Sequence, residues 1–319
     1  MTEPALARIR VGISSCLLGE EVRFDGGHKR SLFITESLAR YFEFVPRCPE
    51  VAIGLGIPRQ AIRLVGDPEA PRAKGNRDDS LDATDALRDY GRAQVRALTD
   101  ISGYILKRAS PSCGMERVKV YSQSGMPAKT GTGIYAREFS QGLPLLPMEE
   151  EGRLQDPALR ENFIGRVFLY HRWQALERAG VTAGALVAFH TEHKLLIGAH
   201  DENEARACGR LLAGLGDADV TAVAKEYINR VMTAVRKPIT RRQHARVLQR
   251  LAGFLKRSLD SGDRQELAET IENYGRGLVP LIVPLTLLRH HFRRNPDEYI
   301  ARQLYMSPYP EELMLRNSV

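Results

Sequence analysis

Over the first half of the chain, short apolar runs alternate with polar, glycine-bearing loops. Arg8-Ile9-Arg10-Val11-Gly12-Ile13-Ser14 alternates polar and apolar positions and closes on small residues, which predicts a strand opening into a loop at Ser15-Cys16. Residues 31–41 carry Leu32, Phe33, Leu38 and Tyr41 and read as a short helix. The aromatic and β-branched run Phe42-Glu43-Phe44-Val45 then predicts a second strand, with Cys48 where it opens into a loop. Residues 54–76, rich in Gly and Pro around Ile62-Arg63-Leu64-Val65-Gly66, read as loop plus a short hairpin. Residues 79–98 place Leu81, Ala83, Ala86, Leu87, Tyr90, Val95 and Leu98 close to one helix face. That helix leads into a third apolar run, Ile101-Ser102-Gly103-Tyr104-Ile105-Leu106, which ends in Lys107-Arg108-Ala109-Ser110-Pro111-Ser112-Cys113-Gly114.

The texture changes at Gly142-Leu143-Pro144-Leu145-Leu146-Pro147 and Met148-Glu149-Glu150-Glu151-Gly152. Beyond Pro157, helical apolar spacing dominates, over residues 162–179, 183–199, 218–235, 243–259 and 264–273. The expectation is a Rossmann-like α/β domain over 1–155 with an open sheet, followed by an all-α domain over 156–319.

A chain of 319 residues with 43% apolar side chains is long enough for two domains with their own cores. No apolar run reaches the roughly 18 residues of a spanning helix, and Met1-Thr2-Glu3-Pro4 lacks the basic and apolar regions of a signal peptide, so a cytoplasmic location is expected. The net charge of +7 is uneven: residues 1–155 hold 22 basic against 20 acidic side chains, and residues 156–319 hold 24 against 19. The basic second half suits either an anionic partner such as RNA or a solvated surface.

Four cysteines, at 16, 48, 113 and 208, are too few and too scattered for a disulfide framework. Three of them share a context, each following a predicted strand. Ends of parallel strands lie along one edge of a sheet, so Cys16, Cys48 and Cys113 can converge although they are 32 and 65 positions apart. Three thiolates leave one position open on a zinc ion or on an iron-sulfur cluster, whereas structural zinc normally fills four.

Glu50, two residues after Cys48, is the best general acid or base; a solvated loop glutamate is the plainer reading. Ser110 and Ser112 flank Pro111 beside Cys113 and could orient a water or a substrate oxygen, although serines beside proline are also ordinary turn residues. His28 is a candidate fourth ligand, but after Gly26-Gly27 it reads better as a surface histidine. His171, His190, His193 and His200 lack zinc spacing and read as surface or core-edge groups. Cys208, among Ala205, Ala207 and Leu211, reads as packing. Lys129-Thr130-Gly131-Thr132-Gly133-Ile134-Tyr135 has the glycines of a phosphate loop without its spacing, and reads as a loop over a small-molecule pocket.

Ser15-Cys16-Leu17-Leu18-Gly19, Arg23-Phe24-Asp25-Gly26, Cys48-Pro49-Glu50 and Ser110-Pro111-Ser112-Cys113-Gly114 together resemble the motifs of the bacterial thiouracil desulfurases, over about residues 8–148. The remainder is similar to a helical domain of uncertain function often fused behind the first. The resemblance implies a [4Fe-4S] cluster on Cys16, Cys48 and Cys113, with one iron free of protein ligands. It also implies Glu50 as acid/base, with Ser112, or else Ser110, assisting. Some members have Gly-Gly where this chain reads Gly54-Leu55-Gly56. The implied reaction converts a small thiolated uracil to uracil and sulfide. Two other readings stand beside it: a thiolated base within tRNA as substrate, and an RNA-binding module with a structural metal or cluster and no turnover.

Overall fold

The structure, a computed structural model, describes residues 8–216 and 218–319; Met1-Thr2-Glu3-Pro4 lies outside them. The chain separates into two compact units, Met1–Gln155 and Asp156–Val319.

The first unit is α/β, built from β1 (Ile9–Ser14), β2 (Phe42–Arg47), α1 (Pro49–Ala52), β3 (Ile62–Val65), β4 (Arg72–Gly75), α2 (Thr84–Ala97), β5 (Tyr104–Leu106), β6 (Val118–Tyr121), β7 (Pro127–Gly131), α3 (Ile134–Gly142) and β8 (Met148–Glu150). Strands β2, β1, β5 and β8 form, in that order, an all-parallel sheet. Parallel strands are covered on both faces, which is why Val11, Gly12, Ile13 and Ser14 are all buried rather than alternating. Gly12 is required by close approach: a Cβ there would lie 2.3 Å from the ring of Tyr104 on the neighbouring strand. Tyr104, Tyr135 and Phe139 pack beneath the sheet, with ring centroids 5.1 Å apart for Tyr104–Phe139 and 5.5 Å for Tyr135–Phe139.

A second sheet, in the order β4-β3-β6-β7, was not foreseen beyond its β3–β4 hairpin. Its β6–β7 hairpin takes up Lys129, Thr130 and Gly131, so three of the seven residues read as a loop over a pocket are strand. The expected helix over 31–41 is a single π turn, Phe33–Ser37, followed by a 3-10 turn, Leu38–Arg40. The expected helix over 79–98 starts only at Thr84, because Asp82 bonds both the amide and the hydroxyl of Thr84 and closes a turn ahead of it. The stretch that looked like a change of texture contains β8, whose Glu149 and Glu150 are buried.

The second unit is helical throughout: α4 (Pro157–Ala179), α5 (Ala183–His200), α6 (Glu202–Ala213), α7 (Val220–Ala234), α8 (Arg241–Phe254), α9 (Ser261–Gly275), α10 (Ile282–Arg294) and α11 (Glu298–Ala301). Caps set these boundaries. Asp156 accepts from the amides of Ala158 and Leu159 ahead of α4, and Thr240 with Gln243 forms a capping box on α8. Trp173 sits at the centre, its ring 5.4 Å from Phe189 and 5.9 Å from Tyr227.

Two histidines of α5 lie in the core rather than at the surface or core edge. His190 and His193 are buried, with His190 Nδ1 3.2 Å from the Tyr227 hydroxyl and His193 Nδ1 2.7 Å from the Phe189 carbonyl. Desolvation pushes His193 down to about 3 and His190 to about 4, so both are neutral rings. Cys208 is fully buried packing on α6.

Candidate active site

The parallel register aligns the ends of β1 and β2 at Ser14 and Arg47, with β5 ending beside them at Leu106. A cavity of about 190 Å³ opens at this edge, where open α/β sheets bind ligands. Cys16, Cys48 and Cys113 all line it, together with Glu50, Ser110 and Ser112. The structure therefore brings together all six residues singled out in the sequence. His28 lies elsewhere, exposed, with its Nδ1 accepting from the amide of Arg30.

Each thiol has a different local support. Cys16 sits in a 3-10 turn, Ser15–Leu18, rather than in the open loop expected. Cys48 is the N-cap of α1, which puts Pro49 and Glu50 in the first helical turn. Cys113 lies in a turn closed by the Gly114 amide on the Ser110 carbonyl, 2.8 Å, and by the Cys113 amide on Ser110 Oγ, 3.1 Å. Burial pushes the Cys16 thiol up to about 11, against the pull of Lys107. Burial pushes Cys113 up to about 12, against hydrogen bonds from Ser14 and Ser112. Cys48 is raised by the same desolvation. Such thiols stay protonated beside water alone, and a soft cationic group is what would favour their thiolate forms. Three cysteine sulfurs on one cavity, those of Cys16 and Cys113 buried and that of Cys48 half-buried, fit an iron-sulfur cluster in donor type and number. Among the described residues, no three Cys, His, Asp or Glu side chains gather around a point as ligands of one metal ion would.

Glu50 is held at both oxygens. Arg59 Nη2 and Nε donate to Oε2 at 2.7 and 3.1 Å, and Ser112 Oγ donates to Oε1 at 2.7 Å. Both partners of the ion pair are largely buried, the side chains 5% exposed for Arg59 and 13% for Glu50. Ser110 Oγ lies 2.9 Å from Ser112 Oγ and accepts the Cys113 amide, so the hydroxyl hydrogens run from Ser110 to Ser112 to Glu50. Ser112 touches the carboxylate; Ser110 stands behind it.

Sequence reasoning missed Arg59, which sits in the Gly/Pro-rich stretch with nothing local to mark it. Its amide also donates to the Phe24 carbonyl, 2.9 Å, and its guanidinium to the carbonyls of Val22 and Gly56. It missed Glu150 too, whose Oε1 accepts the amide of Met115 at 2.8 Å and so pins the chain just beyond Cys113. Gly133, read as part of a lid, is a buttress. A Cβ there would lie 2.5 Å from the Ser112 carbonyl. The amides of Ile134 and Ala136 donate to the carbonyls of Pro111 and Ser112, so the start of α3 spends these amides on the cysteine turn.

The family model described as 2-thiouracil desulfurase matches residues 11–151. Through those residues the chain belongs to the 2-thiouracil desulfurase family. The family described as a protein of unknown function (DUF1722) matches residues 194–310 of the helical unit. The chain is 32% identical over 154 residues to the uncharacterized protein YbgA of Escherichia coli (strain K12), covering 48% of this chain and 91% of YbgA. It is 30% identical over 143 residues to the uncharacterized protein YbbK of Bacillus subtilis (strain 168), covering 40% of this chain and 88% of YbbK. Among solved structures it is similar to a [4Fe-4S]-dependent thiouracil desulfidase, TudS, at 25% identity, covering 46% of this chain and 94% of that one, with a TM-score of 0.35. Among the described residues no helix is long and apolar enough to cross a membrane.

Proposed function

We propose that this member of the desulfurase family converts a thiolated uracil to uracil and sulfide with a [4Fe-4S] cluster held by Cys16, Cys48 and Cys113. The observation that carries the reading is the pairing of Glu50 with Ser112 on a cavity that three cysteines share. The family match over residues 11–151 supports the substrate class. When bound, the cluster would supply an iron with an open position, a Lewis acid for the thiocarbonyl sulfur.

The chain's own residues then manage protons. Glu50, kept in place by Arg59, takes a proton from the attacking water at Oε1, where Ser112 already donates. The Ser110–Ser112 chain keeps the Ser112 hydroxyl aimed at that oxygen, so its lone pairs face the incoming water or the ring N–H. The carbon–sulfur bond breaks, a carbon–oxygen bond forms, and both protons of the water leave with sulfur as hydrogen sulfide. No electron is gained or lost overall.

Anaerobic loading with iron and sulfide, followed by assay of 2- and 4-thiouracil, tests this. Uracil and sulfide should appear in equal amounts; a loaded protein releasing neither overturns it.

A second reading, a thiolated base within tRNA, draws on a groove of about 650 Å³ next to the cavity, lined by Arg63, Arg108, Arg117, Lys119, Lys129 and Arg153 among others. Cationic side chains at that position suit a phosphate backbone. Running thiolated tRNA beside the free base separates the two. RNA retention that weakens with salt, with no turnover of either, would instead favour a binding module.

A further inference from the structure

The cavity holds cationic, acidic, thiol and hydroxyl groups, but a reaction at one carbon of a planar heterocycle also needs something to fix the plane of the ring. Among the described residues that line it, Phe24 is the one aromatic. It is also 39% exposed.

Its position is set with care. Asp25 Oδ1 accepts the Gly27 amide, the Gly26 amide donates to the Arg23 carbonyl and the Arg23 amide to the Gly27 carbonyl, which makes 23–27 a tight turn with Phe24 at its corner. The Arg23 guanidinium carbon lies 5.4 Å from the centroid of the Phe24 ring, and Arg23 Nε is 3.4 Å from Asp25 Oδ1. The Arg23 cation is thereby drawn to the ring. The Phe24 carbonyl accepts the Arg59 amide at 2.9 Å, while the Arg59 side chain grips Glu50. One residue thus ties the backbone that carries Phe24 to the Glu50 carboxylate.

We infer that Phe24 is the platform on which the pyrimidine ring stacks, selecting a flat, conjugated thiocarbonyl heterocycle over a puckered one. The inference rests on the desulfurase reading above and adds to it the residue that sets substrate shape. Stacking on an aromatic side chain is sequence-tolerant and strong enough to decide binding. It acts on the bound ring as a whole, so its loss should appear in KM more than in kcat.

The test compares the iron-loaded full chain with Phe24→Leu and Phe24→Tyr on 2-thiouracil and on 5,6-dihydro-2-thiouracil, which keeps the thiocarbonyl but loses the flat ring. Phe24→Leu should raise KM for 2-thiouracil about tenfold, leave kcat nearly unchanged, and shrink the preference for the flat substrate; Phe24→Tyr should restore both. Equal KM values and an unchanged preference in Phe24→Leu overturn the inference while leaving the desulfurase reading intact. Equilibrium dialysis of labelled uracil against the same loaded proteins decides the point without turnover. If the parent chain releases no sulfide, the desulfurase reading fails; uracil retained by the parent and lost in Phe24→Leu still supports the platform, and equal retention overturns it.

Discussion

Ser112 donates a 2.7 Å hydrogen bond to Oε1 of Glu50 across 62 positions of sequence, joining the turn of one cavity cysteine to the turn of another. The carboxylate that shares a turn with Cys48 is aimed by the residue that precedes Cys113. Substitutions at this pair should therefore separate chemistry from assembly.

Glu50→Gln keeps the size of the side chain and an acceptor for Ser112 but cannot take a proton. Sulfide release should fall by at least about 100-fold, with iron content as in the parent chain. Ser112→Ala should lower turnover less. Iron and sulfide assays on the same samples check both.

Cys16→Ser, Cys48→Ser and Cys113→Ser should each lose most of the bound iron, and chelation of the parent chain should abolish turnover. Cys208→Ala, in the helical unit, should keep iron and turnover while costing about 1 kcal/mol of stability for a small buried void. Iron per chain and urea midpoints distinguish the two classes.

Arg59 and Glu50 form a nearly dry ion pair. Removing one partner strands the other charge, so Arg59→Gln should cost about 3 kcal/mol, and Arg59→Lys should recover only part because it cannot reproduce the three-way grip. The double variant Arg59→Gln/Glu50→Gln should be more stable than the sum of the single losses. Urea unfolding of the four proteins closes the cycle.

Gly133→Ala puts a methyl group 2.5 Å from the Ser112 carbonyl and 2.9 Å from the Cys113 amide nitrogen, both backbone atoms. The turn must shift, at a cost of about 1–3 kcal/mol. Turnover should fall further than stability alone explains, read as sulfide release under conditions where the variant is fully folded.

His193 is buried neutral, its folded value pushed down to about 3 from an ordinary 6.5 by desolvation. Below pH 6.5 the unfolded chain binds a proton that the folded chain refuses. Stability from this group is therefore complete above about pH 6.5 and is lost as pH falls towards 3, at about 1.4 kcal/mol per pH unit. His190 adds to the same slope down to about 4. Urea midpoints of the helical unit's transition at about pH 7.5 and about pH 5 should drop in the parent chain and drop less in His193→Gln.

The α/β and all-α classes, the runs that became β1, β2 and β5, and the placement of three cysteines at strand ends were legible because burial leaves an apolar signature. The rest was hidden for particular reasons. Pro127-Ala128-Lys129-Thr130-Gly131 is an exposed edge strand with no apolar alternation. Met148-Glu149-Glu150 carries two acids into a buried strand, each satisfied from outside: Glu149 by Arg153 Nε at 2.7 Å, Glu150 by the Met115 amide. Arg59 acts only through tertiary neighbours. The motif put Ser112 ahead of Ser110 without a reason in the residues themselves, and geometry supplies one by placing Ser112 on the carboxylate and Ser110 behind it. His193 looked solvated because nothing local shows that α5 packs on Trp173 through Phe189.

The two sheets of the first unit are threaded through each other along the chain: β3 and β4 lie between β2 and β5, and β6 and β7 between β5 and β8. No contiguous fragment contains either sheet whole without carrying a strand of the other. A truncation just after Cys113 would spare all three cysteines yet remove β6, β7 and β8, leaving unpaired strands in both sheets. Presenting the three thiols together therefore calls on strands from the whole length of the α/β unit, not on the segments around the cysteines alone.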